Sequence, residues 1–142
     1  NGGDISPDRP CLFNDRFIFS ANGDYEYDSQ GDVFGEAYLG IIPDGCTDES
    51  NLGADAQAWG SGTHSFTFTP ASDSDAASIT VTGTGAFIAL PKAKNGAEYT
   101  AGPPDTDGAV TYKVFNYDAA TETLTLTINI GTGFWTFVLI PE

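Results

Sequence analysis

Methionine is absent from this 142-residue chain, histidine occurs once, and only five lysines and arginines stand against 20 aspartates and glutamates. The formal charge of −15 argues against nucleic acid, because binding to a phosphate backbone depends on Lys and Arg releasing condensed counterions. It argues against an anionic membrane surface for the same reason. No run approaches the 18 or so apolar residues of a membrane span, so membrane insertion is not expected. Nucleophilic triads need a base beside a Ser or Cys. The one imidazole, His64, adjoins a strand-like run and reads as structural. No GxSxG elbow or HExxH motif is present. Glycoside hydrolysis needs only two carboxylates, yet the acids here gather in turns, where Asp bonds its own backbone. No catalytic residues, and no enzyme activity, are expected. The chain begins at Asn1 with no leader-like segment and reads as a mature or excised domain.

What is present is a core. The length suits one domain over residues 1–142, and a chain this size buries roughly two-thirds of its unfolded surface. At 40% hydrophobic and 13% aromatic it has the apolar surface that disordered acidic tails lack. With 17 glycines and 8 prolines it is rich in turns without being low-complexity. The net charge favours solubility and a dispersed monomer. Cys11 and Cys46 form an even pair with no CxxC spacing, so a disulfide is expected, with two buried free thiols as the alternative. A bridge would place the chain in an oxidising compartment: secreted, periplasmic or on a cell surface.

Hydrophobicity alternates with period two almost throughout. Arg16-Phe17-Ile18-Phe19 leads through Asn22-Gly23 into Tyr25-Glu26-Tyr27, and Asn-Gly between alternating runs is a strong hairpin signal because both residues tolerate φ > 0. Further strands are expected over residues 33–39, 64–69, 78–82, 86–90, 110–117, 123–129 and 134–140. Residues 40–62 and 91–108 read as two long surface loops, the first with a helical turn near Ala54-Asp55-Ala56-Gln57. No helical stripe of ten or more residues occurs. The expectation is all-β: an antiparallel, jelly-roll-like β-sandwich of about eight or nine strands, or alternatively a lipocalin-like barrel. The paired aromatics Phe17 and Phe19, Phe66 and Phe68, and Phe115 and Tyr117 are expected in its core.

Two kinds of site suggest themselves. Asp73-x-Asp75 and Asp105-x-Asp107 resemble the start of a calcium loop but lack the Gly and downstream Glu of an EF-hand; solvated turns and a structural Ca²⁺ stay open as readings. The aromatics are the second. Trp59 and Tyr99 fall in the long loops and Trp135 follows a glycine turn, where an exposed ring needs something to pack on or bind. In residues 91–99, Lys92 and Lys94 meet Asn95, Glu98 and Tyr99, two of the five cations in one loop. Rings with amides, carboxylates and amines beside them are the lining of a sugar cleft. A Lys92–Glu98 pair that merely holds the loop is the plainer alternative.

The series Cys11-Leu12-Phe13-Asn14-Asp15 followed by Phe17-Ile18-Phe19 and Asn22-Gly23-Asp24-Tyr25 is similar to modules of secreted glycan-utilisation proteins of Bacteroidetes-type bacteria, often associated with β-glucans such as laminarin. Residues 83–98 resemble the "GTGAxLxLPKxxNxGE" signature of these modules, and Ile130-Gly131-Thr132-Gly133-Phe134-Trp135-Thr136-Phe137 resembles their closing "GxGxWxF" hairpin. The likeness runs over most of the chain from Cys11 onward. The tryptophan-rich segment that precedes the first Cys in those modules is missing, and their "W-x-E-x-W" stands here as Phe34-Gly35-Glu36-Ala37-Tyr38. The resemblance implies a β-sandwich glycan-binding module.

Together these readings give a non-catalytic carbohydrate-binding module, monomeric and part of a larger secreted or surface chain on the outer-membrane exterior. A neutral β-glucan is favoured, since −15 repels uronates except through Ca²⁺. Trp135, Tyr38 and Trp59 are expected to stack on the polysaccharide, with Lys92, Asn95, Glu98, Glu36 and Tyr99 around them. The alternatives are a lipocalin-like binder of a small apolar ligand and a structural spacer without ligand.

Overall fold

The computed structural model describes Gly3, Asp4 and residues 6–142. In chain order the strands are β1 (Arg16–Phe19), β2 (Asp24–Asp28), β3 (Asp32–Gly35), β4 (Gly45–Asp48), β5 (Gly62–Thr69), β6 (Ser78–Thr82), β7 (Ala93–Lys94), β8 (Ala97–Glu98), β9 (Ala109–Asp118), β10 (Thr123–Asn129) and β11 (Phe134–Leu139). Seven form one curled antiparallel sheet in the order β1-β2-β5-β6-β9-β10-β11, while β3-β4 and β7-β8 are two-stranded excursions. The fold is all-β, and its main sheet follows the order of a meander. Among the described residues eleven strands replace the eight or nine expected, because β4 lies inside the first long loop and β7 and β8 inside the second.

The local chemistry behind the hairpins is plain. Between β1 and β2, Gly23 takes a positive φ and the Asn22 side chain accepts the Asp24 N–H at 3.0 Å, the Asx geometry that makes Asn-Gly a turn. Antiparallel register then carries one side-chain face inward from strand to strand. Phe17 lies opposite Tyr27, Phe19 opposite Tyr25, Phe66 opposite Val81, Ile79 opposite Tyr112, Leu126 opposite Phe137 and Ile128 opposite Trp135. The opposite face is rich in threonine, with Thr80 and Thr111 hydroxyls hydrogen-bonded across two strands at 2.9 Å.

Residues 86–90, expected as a strand, are an irregular buried segment. Ala86, Phe87, Ile88 and Leu90 belong to the hydrophobic cluster on the inner face. Their backbone is satisfied by tyrosines rather than by a ladder: Tyr25 donates its hydroxyl to the Phe87 carbonyl, and the Ile88 N–H donates to the Tyr112 hydroxyl at 2.9 Å. Burying a Phe, Ile or Leu side chain stabilises by about 1.5–3 kcal/mol, against about 0.5–1.5 kcal/mol net for a hydrogen bond. Filling the curl outweighs joining the sheet. Gly85 permits the entry, with φ +74° and an ideal Cβ position only 1.9 Å from the Ala58 carbonyl oxygen.

Phe115 and Tyr117 are also misplaced by the period-two reading. β6 reaches along β9 only to Lys113, and the β9-β10 register shifts at Thr125/Leu126, leaving Phe115 unpaired. Beyond that bulge the β9-β10 hairpin projects, and Phe115 and Tyr117 are exposed rather than core. Phe68, near the end of β5, is likewise mostly exposed.

Cys11, on a 3-10 turn over Pro10–Phe13, is bridged to Cys46 on β4, with Cα atoms 5.8 Å apart. The bond ties the N-terminal segment to the β3-β4 excursion and points to an oxidising environment. No helix is long and apolar enough to cross a membrane among the described residues.

Candidate functional site

Trp135 sits on the inner face of β11, half-buried, with its indole N–H donated to Glu98 Oε1 of β8 at 2.6 Å. Lys92 Nζ stands 5.7 Å from the centroid of the same ring. That ammonium also pairs with Glu36 Oε1 at 3.0 Å, and Glu36 Oε2 takes Arg9 Nη1 at 3.2 Å. Arg9 in turn lies over the Phe34 ring at 4.5 Å. Two cations thus share one carboxylate among three mostly buried side chains. Desolvated pairs of this kind are fixed in place by their mutual dependence: removing one partner leaves a buried charge. Segments far apart in sequence (residues 9, 34–36, 92–98 and 135) therefore meet at one corner. The plainer alternative, a Lys92–Glu98 pair, is replaced by Lys92–Glu36 and Glu98–Trp135.

The other expected residues serve elsewhere. Asn95 clamps the β7-β8 turn to β9, donating Nδ2–H to the Thr111 carbonyl at 2.7 Å and accepting the Thr111 N–H at 2.8 Å. Tyr99 donates its hydroxyl to Asp105 Oδ2 at 2.9 Å and carries Lys94 Nζ 4.3 Å above its ring. Trp59 packs edge-on against both Tyr99 and Tyr38, at 5.0 and 5.4 Å between centroids. Trp59 is 2% exposed and Tyr38 8%, so neither has a free face to offer a sugar. They are core residues: the 3-10 turn Ala54–Trp59 swings the indole inward. Burial, with Glu36 alongside, pushes the Tyr38 hydroxyl well above its ordinary pKa.

Asp75 accepts the Ser74 hydroxyl at 3.0 Å. Tyr99 and Lys94 engage Asp105 and hold its carboxyl below the usual range. Among the described residues no three His, Cys, Asp or Glu side chains gather as a metal set. His64 stands on β5, 6.1 Å from the Tyr25 ring, and burial lowers its pKa.

An open cleft of about 1840 Å³ lies between β11 and the segment that leads into β1. Phe13, Phe17, Phe134, Trp135 and Phe137 line it, with Arg9 and Asp15 among its polar groups. An Arg16–Glu142 ion pair joins its two walls. Arg9 carries only a faint sequence signal, its rarity as one of five cations two residues from Cys11. Asp15 carries none. Burial, reinforced by Asp32, Asp28 and Glu49 and opposed by a hydrogen bond from Tyr27, raises its pKa to about 7.

Comparison with family models, with curated proteins and with solved structures found no match.

Proposed function

We propose that this chain is a non-catalytic binding module for a neutral glycan, a β-glucan such as laminarin, working within a secreted or surface protein. The observation that carries the reading is the meeting of Trp135, Lys92 and Glu98, of which Trp135 lines the cleft. A sugar ring lies with its C–H face on an aromatic plane while polar groups at the rim take its hydroxyls. The Glu98 hydrogen bond fixes the rotation of the Trp135 ring, and Glu98 Oε2 is left for a hydroxyl donor. Lys92, held by Glu36, supplies further N–H donors. Such pre-organisation lowers the cost of ordering side chains on binding.

The test is isothermal calorimetry and affinity electrophoresis against laminarin, mixed-linkage β-glucan and alginate. A β-glucan binds and alginate does not; Trp135→Phe, which keeps an aromatic ring but loses the indole N–H and part of the stacking area, weakens binding at least tenfold. Absence of binding to both glucans, or unchanged binding by Trp135→Phe in a folded protein, overturns the proposal. A second reading is favoured by the apolar lining of the cleft: a lipocalin-like binder of a small apolar ligand. Uptake of a fluorescent fatty-acid probe, displaced by detergent and not by laminarin, would select it.

A further inference from the structure

We propose that an extended peptide, apolar along its middle and flanked by Lys or Arg, adds to β11 inside the cleft and continues the sheet as one more antiparallel strand. This goes beyond the glycan reading and does not rest on it. It uses main-chain groups and the side chains toward Ile140, whereas the glycan reading uses the Lys92–Glu98 corner.

The topology motivates it. Seven strands joined by six antiparallel pairings leave β1 and β11 as the two ends of the sheet, running in the same direction and not hydrogen-bonded to each other. The cleft lies between them. One further strand, antiparallel to both, would preserve the alternation around the curl, and eight strands is the number at which side chains just fill a barrel. Natural sheets protect such edges with charge, proline, bulges or short strands. β1 is short and begins with Arg16. β11 has no such protection: Phe134-Trp135-Thr136-Phe137-Val138-Leu139-Ile140 is uncharged over seven residues, and the outward Phe134, Val138 and Ile140 are 70%, 61% and 76% exposed.

Charge chooses the occupant. A second copy would bring another −15, and the two charges repel one another. A free strand of seven residues, about 23 Å long, brings no such charge. Within the cleft Arg9 and Arg16 are already paired, with Glu36 and Glu142. Asp4 lines the same cleft with no cation among the described residues. A flanking lysine or arginine therefore finds a carboxylate, and the field of the whole molecule draws it in.

The probe is a synthetic peptide, Lys-Lys, then seven alternating Val, Thr and Ile residues, then Lys-Lys, titrated by calorimetry. The same peptide N-methylated at alternate residues is the control, since it cannot pair as a strand. The parent peptide binds and protects β11 amides from hydrogen exchange; N-methylation weakens it at least tenfold. Val138→Lys, an edge charge, does the same, while Ser74→Lys, in the exposed turn between β5 and β6, leaves binding unchanged. Absence of binding overturns the proposal, as does equal affinity for the N-methylated control. A dimer in sedimentation velocity that Val138→Lys dissolves, with no peptide binding, overturns it in favour of a second copy. Laminarin titrated against the same variants reads the glycan site separately, so its failure leaves the peptide result standing.

Discussion

Asp15 shows how one half-buried carboxylate couples this fold to pH. Its pKa stands near 7 because it is half-buried, with Asp32, Asp28 and Glu49 nearby; the hydrogen bond that it accepts from Tyr27 at 3.2 Å works in the opposite direction. In the unfolded chain the same group titrates near 3.9. Between those values the folded state holds more protons than the unfolded state, so stability falls as pH rises through the window. The contribution is fully present below about pH 4 and is lost above pH 7. Asp48, Asp105 and Asp118 are shifted the other way by hydrogen bonds, and their effect is confined to pH below the usual carboxylate range. Asp15→Asn keeps an acceptor for Tyr27 and removes the charge. It is expected to stabilise the protein at pH 8 by about 2 kcal/mol and to flatten the decline between pH 5 and 8 in urea denaturation. An unchanged pH slope in the variant would show that Asp15 is not the titrating group.

The buried segment over residues 86–90 depends on two tyrosines and a glycine, and each can be tested. Tyr112→Phe preserves the ring but leaves the Ile88 N–H without its acceptor, which costs about 1–3 kcal/mol; thermal unfolding reads the loss, and a change below about 0.5 kcal/mol would mean the amide finds another partner. Gly85→Ala drives a methyl into the Ala58 carbonyl and is expected to prevent stable folding, seen as loss of near-ultraviolet dichroism. This element also marks the limit of what the sequence disclosed. Ala86-Phe87-Ile88-Ala89-Leu90 is a short apolar run, and such runs do not distinguish a strand from any other buried segment. Alternation located β1, β2, β5, β6, β9, β10 and β11 because each has one solvated face. It failed for β7 and β8, whose two-residue lengths give no period to read; Asn95-Gly96 was the only cue. Burial of Trp59 and Tyr38 was hidden by a Gly-, Asp- and Ser-rich neighbourhood that looked exposed. The Trp135–Glu98 contact was legible only as a coincidence of residue types, since packing between distant segments creates it.

At the scale of the molecule, one covalent bond and one long-range force act on the same architecture. Cys11–Cys46 spans 35 residues and holds the segment that carries Arg9 and Phe13 to the cleft. Its reduction is expected to cost about 2–4 kcal/mol and to speed proteolysis within residues 3–14, with urea unfolding and mass mapping as readouts; protection equal to the oxidised protein would show that packing alone anchors the segment. Charge acts everywhere at once. With −15 on 142 residues and Arg9, Arg16, Lys92 and Lys94 all engaged in ion pairs, the remaining carboxylates repel one another more strongly in the compact state than in the expanded one. The screening length falls from about 30 Å at 0.01 M salt to about 10 Å at 0.1 M, so added salt relieves this repulsion while weakening those ion pairs. Exposed pairs contribute about 0–1 kcal/mol each, and Arg9–Glu36–Lys92 is mostly buried and screened little, so repulsion wins. Sodium chloride raised from 0.01 to 0.3 M is therefore expected to raise Tm by several degrees, with most of the gain below 0.1 M. A Tm that falls over that range would mean that the few ion pairs at the Trp135 corner outweigh the repulsion among the carboxylates.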